Sequence, residues 1–141
     1  SEGTENFLGT DFSYNDMEYL QRDTSLDTHT LLREEEYGGV PCYVIEAVPK
    51  NAKSEYSKTN IWVEKDSRHV VKITFYDRKN TLVKILEMSN YEITQGVDTP
   101  RTTKMTTLAL NTATIIHIVK MQYNMNIPDK IFSPQYLEQG R

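Results

Sequence analysis

The residues best placed for acid–base or metal chemistry are three histidines, His29, His69 and His117. They fall on separate strands or turns, and no two share a metal-ligand spacing. There is no H-E-x-x-H, no C-x-x-C and no Gly-rich phosphate loop. No G-x-S-x-G elbow is present to carry a nucleophile. Cys42 lies inside the apolar run 40–48 with no activating partner nearby in sequence, so it reads as a small buried hydrophobe. The acidic run Glu34-Glu35-Glu36 alternates faces if it is a strand, so it makes no carboxylate pair and reads as a solvated hairpin end. Asp66, Asp77 and Asp98 fall at turns, where Asp is favoured for local hydrogen bonds. Nine tyrosines offer a stacking platform, but tyrosine is also a favoured strand residue. These residues predict no enzyme, no metal site and no cofactor.

Composition narrows the class further. A chain of 141 residues fits one domain, 1–141, and can bury a core. Its net charge of −4, with lysines scattered along strands, argues against a nucleic-acid partner, which would need a clustered basic face. One cysteine allows no intrachain disulfide and leaves the compartment undecided. No apolar run approaches the roughly 18 residues of a membrane span. Residues 1–12 are polar and acidic, unlike a signal peptide.

The elements that would position these side chains are mostly strands. Ser13 followed by Tyr14-Asn15-Asp16 predicts a helix start, and Tyr14, Met17 and Leu20 recur at helical spacing, giving a short helix within 13–22. Runs at 28–37 and 40–48 flank Gly38-Gly39, a two-residue hairpin signal, because both glycines can take positive φ. Further strands are expected at 57–65, 69–76, 82–88, 91–94, 101–108 and 114–123. Together these make an antiparallel meander over 28–123, and 124–141, with Pro128 and Pro134, reads as an extended cover. No alternation of strands with helices suggests a parallel sheet. The fold class expected is therefore mainly β.

Side chains alternate between the faces of a strand, and cross-strand partners share one. If the turn near Asp66-Ser67 pairs Trp62 with Val71, and the next turn pairs Tyr76 with Leu82, then Trp62, Val71, Ile73, Phe75, Val83 and Ile85 form one continuous apolar wall. Met105, Ile116 and Met121 would extend it. The opposite face, with Ile61, Val63, Val70 and Leu86 among lysines and threonines, is mixed. Two partly greasy faces need two coverings. The pattern leaves open a sandwich or closed barrel filled by its own side chains, and a half-barrel whose concave wall receives an apolar ligand.

Taken in order, several stretches resemble the outer-membrane lipoprotein-sorting family, the LolA-like carriers. They are Asp11-Phe12-Ser13-Tyr14-Asn15-Asp16-Met17, the run Leu32 to Glu36 through Gly38-Gly39 to Cys42-Tyr43-Val44-Ile45-Glu46, and Tyr56-Ser57-Lys58 with Ile61-Trp62-Val63 and Lys65-Asp66. Lys72-Ile73-Thr74-Phe75-Tyr76-Asp77, Gly96 with Pro100, Pro128-Asp129 and Phe132-Ser133-Pro134-Gln135-Tyr136-Leu137 complete the set. The resemblance implies an incomplete, curved antiparallel barrel with one or a few short helices on its concave side, located in the periplasm. It implies carriage of lipoprotein acyl chains or other lipids without covalent chemistry, and an envelope membrane transporter as partner. It also implies that family members carry sequence before this chain's start. A missing front portion would leave a sheet edge unpaired and invite dimerisation.

The expected mechanism is transfer by burial, in which each sheltered CH₂ contributes roughly 0.8 kcal/mol. Two other classes compete with it: a β-rich protein-interaction or structural module of the envelope with a self-filled core, and a hydrolase of envelope lipids or glycans. A groove of sufficient volume separates the carrier from the first, and a convergent acid–base pair would mark the second.

Overall fold

The structure, a computed structural model, describes residue 3 and residues 6–119. Seven antiparallel strands follow one short helix. The helix α1 is Tyr14–Tyr19, and the strands are β1 (Asp27–Tyr37), β2 (Val40–Pro49), β3 (Lys58–Glu64), β4 (Val70–Tyr76), β5 (Leu82–Thr94), β6 (Val97–Thr107) and β7 (Thr112–His117). They form one sheet in sequence order, and β1 and β7 do not pair, so the sheet is open. The mainly β, unclosed architecture read from the sequence is the one observed. Among the described residues no helix is long and apolar enough to cross a membrane. The expected strand residues 120–123, Met121, the cover 124–141 and the motifs after Pro128 lie outside the described residues.

Local chemistry sets the turns. Gly38 and Gly39 take φ of +60° and +80° and close the β1–β2 hairpin in two residues. Gln95 and Gly96, at φ +50° and +80°, do the same for β5 and β6, pairing Thr94 with Val97. Two expected strands, 82–88 and 91–94, are one in the structure: β5 runs unbroken past Asn90, whose φ of +55° Asn tolerates better than most residues. Pro100, expected outside the strand, lies within β6 opposite Tyr91. Eight strands were therefore expected where the described residues form seven.

Helix α1 has six residues, too few to hold itself. A reciprocal capping box starts it: Asp16 N donates to Ser13 Oγ at 3.1 Å, and Ser13 N donates to Asp16 Oδ2 at 2.9 Å. The predicted cap is thus the real one, but the helix ends at Tyr19, short of residue 22.

Three irregularities set the faces. The register shifts between Leu31 and Arg33 in β1, at Val71 in β4 and at Val83 in β5. On the face that carries α1, here the inner face, Phe75, Leu86, Met105, Ile116 and Ile118 pack with Phe12, Met17 and Tyr56. On the outer face Cys42, Val44, Trp62 and Val71 form a second, smaller cluster with Tyr37. Polar groups roof this cluster. Trp62 Nε1 donates to Glu35 Oε2 at 2.8 Å, and Lys72 Nζ lies 4.5 Å from the Trp62 ring centre. Tyr37 OH reaches from β1 to Glu87 Oε2 on β5, 2.5 Å away. Cys42 is fully buried, and burial pushes its thiol pKa up, as suits a structural cysteine.

Candidate functional site: a groove at the open end of the inner face

The inner face has two ends. At one, the segment before α1 lies across the sheet as a plug. Phe12 is fully buried against Phe75, Leu86 and Met105. Polar anchors fix it there. Asp11 Oδ2 accepts from Thr114 Oγ1 at 2.7 Å, Asp11 N donates to the same hydroxyl at 2.9 Å, and Thr112 Oγ1 donates to Asp11 Oδ1. Burial alone would raise the Asp11 pKa, but the hydroxyl donors, Thr112 foremost, bring it below its ordinary value. Asp16, with no exposed side-chain surface, accepts from Lys84 Nζ and from Tyr56 OH, each at 2.6 Å. Burial first, and the Asp16 charge second, push the Tyr56 phenol far up.

The other end is open among the described residues. A groove of about 390 Å³ lies between the C-terminal end of α1 and the sheet, within the range of small-ligand sites. Its floor is Ile61, Val70, Ile73, Met88 and Ile118, and Tyr19 and Leu20 wall it off from the plugged end. Tyr19 packs edge-on against Tyr56 and Phe75 at centroid distances of 5.5 and 5.8 Å, which seats this wall. Burial raises the Tyr19 phenol pKa, so it stays neutral there.

The rim is polar. Arg22 meets Asp27 through Nη2–Oδ1 at 2.8 Å and Nε–Oδ2 at 3.0 Å, and that pairing raises the guanidinium pKa. Tyr91, which lines the groove, is stacked by His69 with ring centres 3.9 Å apart. The His69 Nε2 hydrogen-bonds Asp98 Oδ2, and its Nδ1 lies 3.8 Å from Glu64 Oε1. Tyr91 OH donates to Val70 O at 2.5 Å. Burial, then the charges of Asp98 and Glu64, push the Tyr91 pKa up to about 12. Asp98, expected at a turn, lies in β6. Among the described residues no three His, Cys, Asp or Glu side chains gather as metal ligands.

The nine wall residues expected from the sequence do not form one surface. Of the eight described, only Ile73 lines the groove. Phe75, Val83, Met105 and Ile116 belong to the plugged end of the inner face. Trp62 and Val71 stand in the outer cluster, and Ile85 pairs with Thr74 and Thr106, alternating away from the inner Leu86. The physical cause is register. Trp62 pairs with Lys72 and not with Val71, and Val83 is an extra residue, so Phe75 faces Lys84 although Tyr76 pairs with Leu82 as expected. The reading missed Ile61, Val70, Met88, Tyr91 and Thr99 as lining residues. In β6 the alternation Thr99, Thr103, Met105 on buried positions was the available signal.

The described residues form an open antiparallel sheet with an apolar groove on its helix-bearing face. Comparison with known proteins finds the same fold in other chains. Residues 1–139 match a protein family described as "Uncharacterized protein", and the chain belongs to that family. No curated protein matches it. Three solved structures share the fold. One, described as an outer membrane lipoprotein-sorting protein domain from Vibrio parahaemolyticus, is 24% identical with a TM-score of 0.79, covering 97% of this chain and 58% of that one. A DUF1329 family protein from Desulfovibrio piger is 29% identical with a TM-score of 0.81, covering 97% and 57%. A LolA superfamily protein from Nitrosomonas europaea is 22% identical with a TM-score of 0.72, covering 96% and 60%. The chain therefore spans less than two thirds of the length of each of these structures. The resemblance read from the sequence is the fold observed.

Proposed function

We propose that this chain is a non-enzymatic carrier of the cell envelope that shelters the acyl chain of a lipid or lipoprotein in the groove. The observation that supports the reading most directly is the apolar-floored groove of about 390 Å³ that the described residues leave on a face whose other end is filled. The groove floor is built mostly on strands, a rigid support for a site that must take in and release a flexible tail without rebuilding the sheet. Arg22, Asp27 and Asp98 line the groove beside its apolar floor, where a headgroup would meet them. Each CH₂ taken from water contributes roughly 0.8 kcal/mol, so a tail that fills the groove supplies enough to offset the cost of association. Ile73, Met88 and Ile61 form the binding floor in this reading, with the donor or acceptor a membrane transporter of the envelope and the compartment the periplasm.

The test is titration of the purified protein with a long-chain fluorescent alcohol, alongside mass spectrometry of its organic extract. Saturable binding is expected, lost in Ile73→Asp and Met88→Asp and kept in Ile93→Asp, whose side chain is exposed on β5. Binding unchanged by both floor substitutions overturns the assignment of the groove.

A further inference from the structure

The charges around the groove point to the kind of ligand it accepts. Among the described residues that line it, Arg22 is the only side chain with a permanent positive charge. That charge is already committed: Nε and Nη2 both bond Asp27, and the guanidinium carbon lies 4.8 Å from the Tyr19 ring centre. The Tyr91 hydroxyl is committed too, because its proton goes to Val70 O. An anionic head drawn into the mouth would therefore meet a guanidinium whose charge is already balanced by Asp27 and a phenol whose proton is already given, with His29 the other basic side chain of the lining.

It would also meet a carboxylate. Asp98 lines the groove and keeps 48% of its side chain exposed. His69, its partner, lies between Asp98 and Glu64, so this corner holds two carboxylates for one imidazole. Removing a charged head from water without a partner is costly, and a like charge within a few ångströms adds to that cost. An ammonium or a neutral head avoids both costs, and an ammonium gains the Asp98 carboxylate.

We infer that the groove selects by charge, accepting acyl ligands whose head is neutral or carries an ammonium and disfavouring the same chain ending in a carboxylate. The inference rests on the groove being the acyl site. It adds a ligand class that the apolar floor alone does not specify.

Three competitors of one chain length, an alcohol, a primary amine and a carboxylate, should each be used to displace the fluorescent alcohol from the whole protein. The work is done below micelle formation and at about pH 8. The alcohol and amine should compete, and the carboxylate should need at least about ten times more, equivalent to about 1.4 kcal/mol. Asp98→Asn should narrow the gap by weakening the amine and strengthening the carboxylate. Asp27→Asn, which releases Arg22, should move the carboxylate towards the alcohol. Equal competition by all three in the unaltered protein, or a preference for the carboxylate, overturns the selectivity and leaves the carrier reading in place. A probe that does not bind at all overturns both.

Discussion

The two ends of the inner face are built from the same strands and have opposite fates. β4 gives Phe75 to the plugged end and Ile73 and Val70 to the groove. β5 gives Leu86 to one and Met88 and Tyr91 to the other, and β6 gives Met105 to one and Thr103 and Thr99 to the other. The plugged end carries the larger, fully buried side chains. It also carries the polar groups that hold a covering segment down, namely Lys84, Tyr56 and the threonines around Asp11. The open end carries isoleucine, valine, methionine and tyrosine with the buried Thr59, Thr99 and Thr103, and its charged groups pair with one another or with His69. Among the described residues, the segment beyond Tyr19 leads past the Arg22–Asp27 pair into β1.

Substitutions at the two ends should therefore differ in kind. The largest effect belongs to Asp16→Ala, which strands Lys84 and Tyr56 and removes the Asp16 half of the capping box. A loss of about 4–6 kcal/mol is expected in chemical denaturation. The double variant Asp16→Ala with Lys84→Met should recover part of it, and no recovery would show that the ion pair is not what holds the plug. Phe75→Ala should cost about 3–5 kcal/mol through the cavity it leaves, with the same readout. Probe affinity should fall only as far as folded protein is lost.

Asp11 gives a smaller effect with a defined pH window. Its folded pKa lies below its ordinary value of 3.8. The stabilisation is therefore present above the unfolded pKa and is lost as pH falls through the lower, folded one. Denaturation midpoints of the native chain and Asp11→Asn, followed from neutral pH downwards, should differ by about 1–2 kcal/mol at neutral pH and converge below about pH 4. A difference that persists in acid would place the contribution elsewhere. Smallest in stability is Met88→Ala at the open end, at about 1 kcal/mol or less because the side chain is only half-buried. Probe binding should nevertheless weaken there, and a large stability loss with unchanged binding would reverse the contrast between the ends.

Much of the fold was legible because local chemistry determines it. Ser13 and Asp16 announce the cap, and Gly38-Gly39 and Gln95-Gly96 announce turns that few other residue pairs would make. The site was less legible. Val71 and Val83 are extra residues in otherwise regular strands, and valine carries no mark of a bulge. Each moves its strand by one position against its neighbour, and because side chains alternate, one position changes the face. Trp62 was assigned to the ligand wall and Ile61 excluded from it for that reason alone. Asp98 and His69, distant in sequence, meet only because β5 and β6 are longer than their hydropathy suggests.

The Tyr37–Glu87 contact has a mechanical consequence. It joins the first strand to the fifth over the outer cluster, spanning three strands with one hydrogen bond. Bending a sheet sets the width of both its sides at once, so a stay drawn tight on the back fixes how far the front can spread. The gauge of the cleft is in this sense held from behind, by a phenol and a carboxylate that no guest in the cleft would touch.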